Sequence, residues 1–410
     1  MLQPMRGVRV LEVAQFTFVP AAGAILADWG AEVTKVEHAE RGDGQRGLTT
    51  VLGVDAIMKG SRFSPIFEGP NRGKRSVGLA LEVPEARAVL DELIKRSDVF
   101  ITNFLPGARA KLRINLEDVR KVNPDIIYVR GSGFGARGPE ADKGGYDMTA
   151  FWARGGSGAG ATPAGADRLS PMPAGGYGDN IGGMTIAGGI AAALYARATT
   201  GETSVIDVSL LGVGAWATQF TANLALQAGG VPPRPPVPRH GSARNPLIGP
   251  YRTSDDRWIL FSMLQPGRYW AEFCKASGHE ELITDERFNT VEKLMANAPA
   301  AGELVAGVMA EKTFDEWLEI LAGIEGQWAI VQDSWGVAND VSLRANGMIG
   351  SFDDADGIRR ELVASPVQFD ETPATLSRGP LFAEHTDEVL RELGLSDERL
   401  IELKIAGAIT

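Results

Sequence analysis

The first 130 residues alternate between short apolar segments and amphipathic segments, and this alternation limits the possible folds more than any other feature. The strand-like segments are 8–13, 32–37, 76–81, 99–103 and 126–130. The helix-like segments between them are 20–29, 84–96 and 116–122. Strands that alternate with helices of about ten residues predict an α/β fold with a parallel sheet and helices on both faces. Ligands of such sheets bind beyond the carboxyl ends of the strands.

Composition limits the class of protein. The 410 residues are 44% hydrophobic and 23% charged, which is enough for two domains with packed cores. The formal net charge of -11 argues against a broadly basic surface, so we expect no nucleic-acid partner and no membrane partner. The single cysteine, Cys274, permits no internal disulfide and is expected to be a buried thiol. Because the chain enters a strand without a signal pattern, we expect a cytoplasmic protein.

Two apolar stretches, 181–196 and 208–228, resemble membrane spans in composition. The first is short and rich in glycine, and the second carries amide side chains at helical spacing, so both fit buried or subunit-interface helices better. The histidines are scattered and show no metal-ligand spacing, so we expect no metal site. They are His38, His240, His279 and His385.

The regular pattern stops in residues 131–183, which are crowded with glycine. A long irregular stretch inside a compact domain is usually functional. Residues 229–238 are rich in proline and predict a stiff linker. Beyond this linker, residues 251–261 predict a hairpin, and amphipathic helices follow to about residue 324. This region is expected to form a second domain.

Asp179 is the first candidate for chemistry. It lies in residues 175–183, where five of nine residues are glycine, just before a long apolar stretch. Glycine allows a ligand to approach the backbone closely, and a helix N-terminus favours a negative charge. Asp179 is therefore a candidate nucleophile. It is also a candidate helix N-cap, because aspartate is among the preferred capping residues, and the two roles are compatible.

Several other motifs lead elsewhere. Residues 133–138 match the spacing GxGxxG, but no helix and no acidic partner follow, so a nicotinamide-dependent oxidoreductase is not favoured. Neither a GxxxxGK[ST] loop nor a GxSxG elbow occurs. Basic residues cluster near the predicted strand ends, where several are expected to meet a phosphate-bearing ligand. They are Lys35, Arg41, Arg46, Arg72, Lys74, Arg75, Arg109 and Lys111.

A series of short fragments, taken in order and spacing, resembles the class III CoA-transferases of the CaiB/BaiF type. These enzymes include formyl-CoA and carnitine CoA-transferases, with α-methylacyl-CoA racemases as relatives. The fragments are Gly-Val-Arg-Val-Leu-Glu at 7–12, Leu-Ala-Asp-Trp-Gly-Ala-Glu-Val-Thr-Lys-Val-Glu at 26–37, Gly-Asp at 42–43 with Arg-Gly at 46–47, Asn-Arg-Gly-Lys-Arg-Ser at 71–76, Asn-Phe-Leu-Pro-Gly at 103–107, Asn-Pro at 123–124 and Glu-His-Thr-Asp-Glu-Val-Leu at 384–390.

The resemblance implies a large parallel α/β domain built from both ends of the chain, a small inserted α+β domain, and an interlocked homodimer. The boundaries we expect are 1–200 for the first part of the large domain and 201–238 for a linker helix and the proline-rich linker. Residues 239–325 would form the small domain. Residues 326–410 would form a return linker and the C-terminal part of the large domain.

The resemblance also implies that Asp179 is the nucleophile, since the family's aspartate lies in a glycine-rich turn before a helix. The implied reaction moves CoA between carboxylic acids through mixed-anhydride and aspartyl-CoA thioester intermediates. An acyl-CoA donor and a carboxylic acid acceptor are the expected partners. CoA enters as a substrate, and no tightly bound cofactor is expected.

The CoA contacts implied by the resemblance are transferred position by position. The family often has arginine where His38 and Lys111 stand, so Arg41 is a further candidate. A glycine-rich flap of formyl-CoA transferases has no clear counterpart in residues 240–265, which argues against the formyl and oxalate pair. The expected contacts are Thr17, Phe18, His38, Arg41, Lys74, Leu79, Asn103, Phe104, Leu105, Lys111 and Tyr146.

Two alternatives stay open. A racemase of this fold uses a Gly-His-Asp motif, which corresponds here to residues 145–147 with Tyr146 in place of histidine. Tyrosine is a poorer base near neutrality, which favours the transferase. A non-catalytic acyl-CoA binding protein would not need Asp179. The aromatic residues Phe16, Phe18, Phe151 and Trp152 suggest an apolar pocket for a larger acyl group.

Overall fold

The fold is built around one parallel sheet, here in a computed structural model that describes residues 2–51, 53–56, 60–231 and 238–410. The strands are β1 (Arg9–Val13), β2 (Glu32–Glu37), β3 (Thr50–Val51), β4 (Val54–Asp55), β5 (Arg75–Gly78), β6 (Val99–Thr102), β7 (Ile127–Ser132), β8 (Val205–Ser209), β9 (Ile248–Arg252), β10 (Trp258–Ser262), β11 (Trp328–Ile330), β12 (Ile349–Asp353) and β13 (Arg359–Val363).

The helices connect these strands and cover the sheet. They are α1 (Phe18–Asp28), α2 (Pro65–Asn71), α3 (Pro84–Lys95), α4 (Pro106–Lys111), α5 (Leu116–Val122), α6 (Ser157–Ala161), α7 (Tyr177–Thr200), α8 (Leu210–Ala217), α9 (Gln219–Ala228), α10 (Pro266–Ser277), α11 (Glu281–Thr284), α12 (Val291–Ala296), α13 (Ala298–Met309), α14 (Phe314–Leu321), α15 (Ser334–Ala338), α16 (Val341–Ala345), α17 (Thr386–Glu392) and α18 (Asp397–Ile405). A 3-10 turn spans Gly44–Gly47, and a π-helical segment spans Asp147–Ala153.

The central sheet has the order β5-β2-β1-β6-β7-β8, and all its neighbouring strands are parallel. The predicted α/β fold is therefore confirmed. The strand predicted at 76–81 ends earlier, at Gly78, because Leu79 makes only an isolated bridge to Ile409. Because the strands are parallel, their carboxyl ends meet at one edge of the sheet.

The stretch 208–228, predicted as one helical segment, is divided. Its first residues belong to β8, which the sequence analysis missed, and the rest forms α8 and α9. Ser209 ends the strand and caps α8, since its side chain accepts a hydrogen bond from the backbone N–H of Gly212. The alternating polar residues of β8 hid the strand from a search for apolar runs.

Alternate residues of the buried strands face two separate cores. One core contains Val10 and Val129 with residues of α1, α7 and α8. The opposite core contains Leu11 and Tyr128 with residues of α3, α5, α17 and α18. Burial on both faces explains the nearly continuous apolar character of these strands. Because α17 and α18 come from the C-terminal end of the chain, both ends of the chain contribute to this part of the fold.

The chain divides into two compact units, Met1–Gln227 with Val341–Thr410, and Ala228–Asp340. In the second unit, β9 and β10 form the antiparallel hairpin predicted at 251–261, and β11 completes a small sheet. Helices α10 to α14 pack on this sheet around Trp317 and Phe273. Cys274 is buried there, as expected. Residues 232–237 of the predicted proline-rich linker lie outside the described residues.

The glycine-rich start of α7 lets it lie directly against α1. A Cβ atom on Gly182 would overlap the ring of Phe18, and one on Gly183 would lie 2.6 Å from the Cβ of Ala21. Helix α7 has 24 residues, so it is longer than the predicted stretch 181–196. Among the described residues it alone has the length and composition of a membrane span. Its buried face packs in the first core.

The close contact between α1 and α7 gives the first prediction. Gly182→Ala should lower the free energy of unfolding by about 1–3 kcal/mol, because Phe18 is also confined by Gly131 and cannot move away from the new methyl group. Gly188→Ala is the matched control on the same helix, since its added Cβ meets no atom within 4 Å. That control should be neutral or stabilising by up to about 1 kcal/mol. Equal effects of the two variants in urea unfolding would contradict this packing.

Candidate active site

A cavity of about 350 Å³ opens at the carboxyl edge of the sheet, beyond the ends of β1, β6 and β7. Asp179, from the first turn of α7, is the only carboxylate among the described residues that line it. The lining residues are Gln15, Phe16, Phe18, Asn103, Phe104, Leu105, Pro106, Ala108, Arg109, Arg130, Gly131, Ser132, Gly133, Gly135, Ala136, Ala141, Gly144, Gly145, Tyr146, Asp179 and Leu210.

Asp179 is the third residue of α7, and Gly176 is the N-cap with a φ of 72°. The interpretation of Asp179 as the N-cap is therefore wrong. The helix starts earlier than expected because Gly176 adopts the left-handed conformation that glycine permits. Nothing in the glycine-rich sequence marked Tyr177 as the first helical residue. From this position in the first turn, Asp179 lines the cavity and does not cap the N-terminal end of the helix.

The carboxyl group of Asp179 lies in an unfavourable electrostatic environment. Burial raises its pKa to about 7, and the nearby charge of Asp147 contributes to the rise. The N-terminal end of a helix favours a carboxylate, but this effect is smaller than the cost of burial. An acid with a pKa near 7 is substantially ionised at neutral pH and poorly solvated. Both properties suit a carboxylate that attacks a carbonyl carbon.

Asp147 was considered in the sequence only as the last residue of the motif at 145–147, and its approach to Asp179 was not predicted. It begins the π-helical segment and is buried, and its Oδ1 accepts a hydrogen bond of 2.8 Å from the backbone N–H of Met148. Its Oδ2 has no hydrogen-bond partner among the described residues. Burial raises the pKa of Asp147, while backbone amides from Gly176 to Gly178 oppose the rise. The sequence offered only its place after Tyr146, with no sign that it approaches α7.

A second cavity of about 390 Å³ lies at the carboxyl ends of β2 and β5. It shares Gln15 and Phe104 with the first cavity, so the two adjoin. Its polar side chains include His38, whose Nε2 lies 2.8 Å from Glu82 and 3.0 Å from the guanidinium of Arg41. The lining residues are Val13, Gln15, Val36, Glu37, His38, Arg41, Gly42, Gly44, Leu79, Leu81, Glu82, Phe104 and Leu112.

Most of the expected CoA contacts face one of these cavities. Phe18, Asn103, Phe104, Leu105 and Tyr146 line the first. His38, Arg41 and Leu79 line the second. Thr17 and Lys111 are not among the described residues that line either cavity. Lys111 is exposed at the end of α4, and the Thr17 hydroxyl accepts a hydrogen bond from Gln45. Their contacts with CoA stay predictions.

The expected phosphate contact of Lys74 is wrong. Its ammonium group is fully buried and lies 2.7 Å from Glu12, and it also donates to the carbonyl of Pro20. Burial lowers the pKa of Lys74, and the like charge of Lys35 adds to this effect. Lys35 is equally buried against Glu12 and Asp43. Burial alone would lower the pKa of Lys35, but Glu12, Asp43 and Glu37 raise it instead.

Three more of the clustered basic residues form ion pairs with acidic side chains. Arg46 pairs with Glu37, Arg72 with Asp28, and Arg75 with Glu392. Arg109 differs, because it lines the first cavity and its Nε has no hydrogen-bond partner among the described residues. Of the eight clustered basic residues, only Arg41 and Arg109 are among the described residues that line either of these two cavities.

The four aromatic residues that were expected to form an apolar pocket lie in two different places. Phe16 and Phe18 line the first cavity, as the predicted apolar pocket requires. Phe151 and Trp152 are buried in the core, where both rings contact Tyr177. They lie under the first turn of α7 and are not among the lining residues. Their expected role in the pocket is therefore wrong, and they support the helix that carries Asp179.

The sequence pattern of CoA-transferase family III matches residues 5–386. The chain belongs to this family. It is 29% identical to an (R)-2-hydroxy-4-methylpentanoate CoA-transferase of Clostridioides difficile, with 98% of each chain covered. It is 31% identical to a cinnamoyl-CoA:phenyllactate CoA-transferase of Clostridium sporogenes, covering 97% of this chain and 95% of that protein. The family resemblance noted in the sequence is thus confirmed.

A solved structure supports the fold independently. A CaiB/BaiF family protein from Brucella suis matches with a TM-score of 0.81 at 28% identity, covering 96% of this chain and all of that one. The chain is therefore an enzyme of CoA-transferase family III, and the names of its relatives support CoA-transferase activity. CoA thioesters are the substrates of such enzymes, which agrees with the expected class of ligand.

The raised pKa of Asp179 predicts a stability that depends on pH. Between about pH 4 and pH 7 the folded state keeps a proton that the unfolded state has lost, so stability falls as the pH rises through this interval. Asp179→Asn removes this partly buried charge. It should raise the free energy of unfolding by about 1–3 kcal/mol at pH 8 and have little effect near pH 4.

Urea unfolding at both pH values measures this difference. Asp167→Asn is the control, because Asp167 is exposed in the same glycine-rich region and does not line the cavity. A stabilisation by Asp179→Asn that is equal at both pH values would show that the Asp179 carboxyl is not held with a raised pKa.

Proposed function

We propose that this enzyme moves CoA from an acyl-CoA donor to a carboxylic acid acceptor through covalent intermediates on Asp179. The observation that carries the proposal is the poorly solvated carboxylate of Asp179, the only carboxylate among the described residues that line the cavity at the carboxyl edge of the sheet. Ser132 also lines this cavity, but its hydroxyl accepts a hydrogen bond from Gly135, and no histidine lines the cavity among the described residues. A serine–histidine mechanism is therefore not favoured.

Each proposed step replaces one activated acyl bond with another, and the sequence ends in a new thioester. The Asp179 carboxylate attacks the donor's thioester carbonyl, which forms a mixed anhydride and releases CoA thiolate. The thiolate then attacks the Asp179 carbonyl, which forms an aspartyl-CoA thioester and releases the donor's acid. The acceptor carboxylate attacks this thioester, and the released thiolate attacks the acceptor carbonyl, which regenerates Asp179. No ATP is consumed, because an activated acyl bond exists at every stage.

The glycine-rich wall of the cavity suits the oxyanions that form in these steps. Gly131, Gly133, Gly135, Gly144 and Gly145 all line the cavity. Their backbone is not screened by side chains, so peptide N–H groups can approach a reacting carbonyl oxygen. The loop is folded tightly, since a Cβ on Gly133 would lie 2.7 Å from the Cα of Gly145. This segment is therefore proposed to support the chemistry and not to bind a dinucleotide.

The two adjoining cavities suit the two ends of an acyl-CoA. We assign the thioester to the first cavity, beside Asp179, and the phosphate-bearing headgroup to the second, beside His38 and Arg41. Arg41 keeps its guanidinium largely exposed, with its side chain 78% accessible, and it can turn toward a phosphate. The assignment follows from Asp179, which must meet the thioester, and from the exposed guanidinium of Arg41 in the adjoining cavity, which can bind a phosphate.

An apolar acyl group is the proposed substrate class. Phe16, Phe18 and Leu210 line the cavity that holds Asp179. The two relatives are named for (R)-2-hydroxy-4-methylpentanoate and for cinnamoyl-CoA and phenyllactate, which carry a branched alkyl group or a phenyl ring. Activity confined to formate, oxalate or similarly small polar acids would contradict this assignment. We further propose that no cofactor is tightly bound and that the enzyme works in the cytoplasm.

A homodimer is proposed from an exposed apolar surface on α8 and α9. Trp216, Phe220, Leu224 and Leu226 are 70%, 87%, 60% and 75% exposed. Large exposed apolar side chains grouped on neighbouring helices often mark a protein interface. Light scattering should give twice the chain mass of 43.7 kDa. A monomer at micromolar concentration would contradict the interlocked dimer.

The covalent route is tested by intact-protein mass spectrometry after incubation with a panel of acyl-CoAs. We expect a CoA-sized adduct that maps to Asp179 and is released by hydroxylamine. Asp179→Ala should abolish the adduct, and the exposed Asp167→Ala should retain it. An absence of adduct from every donor, together with exchange of the α-proton of an acyl-CoA in deuterated water, would favour a racemase. Bound CoA with neither signal would favour a non-catalytic binding protein.

A further inference from the structure

Phe16 has an unusual backbone conformation directly beside the candidate active site. It lies after the end of β1 with a φ of 63°, in the left-handed region that bulky residues rarely adopt. Such a conformation costs energy and persists only where the surrounding structure enforces it. The side chain lines the cavity that holds Asp179. A glycine would satisfy the backbone at this position without strain, so the presence of an aromatic ring requires an explanation.

A buried charged group holds the Phe16 backbone in place. The N–H of Phe16 donates a hydrogen bond of 3.0 Å to Oδ1 of Asp43, which also accepts from the N–H of Gln45. Oδ2 of Asp43 lies 2.8 Å from the ammonium of Lys35, and both side chains are fully buried. Lys35 is fixed in turn by Glu12. The strained residue is therefore attached to the most deeply buried ionic network at this end of the sheet.

The Phe16 ring stands between the two cavities. It meets the ring of Tyr146 in a T-shaped contact with ring centroids 5.8 Å apart. The tip of the ring approaches Gly44, where an added Cβ would lie 3.1 Å from Cζ. Tyr146 lines the first cavity and Gly44 lines the second. The ring therefore forms part of the partition between them, next to the shared residues Gln15 and Phe104.

We propose that Phe16 is a positioning residue whose ring guides the flexible arm of CoA, between its headgroup and its sulfur, from one cavity to the other. This inference rests on the proposed function, which assigns the headgroup and the thioester to different cavities. A ligand that occupies both must pass the partition, where the fixed ring offers an apolar surface to the arm. The strained backbone is then the cost of holding the ring at this point.

Calorimetric titration with two probes tests the role of the ring. CoA contains the arm, whereas adenosine 3′,5′-bisphosphate represents the headgroup without it. Phe16→Ala should weaken CoA binding by about fivefold to tenfold, the loss typical of one aromatic contact. The same variant should leave binding of the bisphosphate within about twofold. Phe16→Leu, which keeps apolar bulk, should recover part of the CoA affinity.

A matched pair of variants separates the ring from the backbone. Phe16→Gly and Phe16→Ala should lose similar CoA affinity because both lack the ring. Phe16→Gly should nevertheless melt at a higher temperature than Phe16→Ala, since only glycine adopts a φ of 63° without strain. Melting in the reverse order would show that the backbone is not strained in the free enzyme.

Two results would overturn the role of Phe16. Unchanged CoA affinity in Phe16→Ala would show that the ring does not touch the arm. Equal weakening of both probes would place the ring in the headgroup site or indicate a general loss of structure. Failure of the proposed function is seen separately, because the wild-type enzyme would then bind no CoA or form no adduct on Asp179.

Discussion

The contact between α1 and the first turns of α7 determines where the candidate nucleophile lies. Gly182 and Gly183 bring the two helices together, and the ring of Phe18 fills the space that a side chain at Gly182 would occupy. Gly178, one turn earlier on α7, accommodates Phe151 in the same way. The glycines around Asp179 thus serve packing as much as ligand access. Because the helix cannot shift without breaking these contacts, its first turn is held at the edge of the cavity.

Charged groups that are costly to remove from water lie at the same edge of the sheet. Asp179 is partly buried near the buried Asp147, and burial raises the pKa of both carboxyl groups. Beneath them, Glu12, Lys35, Asp43 and Lys74 form a network of charges with no solvent access. Such a network contributes little net stability, but loss of one of its members strongly destabilises the folded protein. Here the network fixes the segment after β1, which forms a wall of both cavities.

The sequence was sufficient for the parallel sheet, because β1, β6 and the first half of β7 are largely apolar and alternate with helical patterns. It was insufficient for β8, in which polar residues alternate with apolar ones. It was also insufficient for the start of α7, because a left-handed Gly176 starts the helix about one turn before the predicted stretch 181–196. Asp179 was identified from its glycine setting. Asp147, the burial of Lys74 and the place of Phe16 depend on contacts between distant segments, which local patterns do not encode.

Isotopic labelling of Asp179 tests the central claim most directly. In the proposed route, the acceptor's carboxylate attacks the aspartyl-CoA thioester, and its bridging oxygen remains on Asp179 when the acceptor departs as a thioester. Turnover with an acceptor acid labelled with oxygen-18 should therefore add label to the peptide that contains Asp179. Peptide mass spectrometry would detect it, and repeated turnover should increase it. Product formation without label in Asp179 would contradict covalent catalysis by this carboxylate.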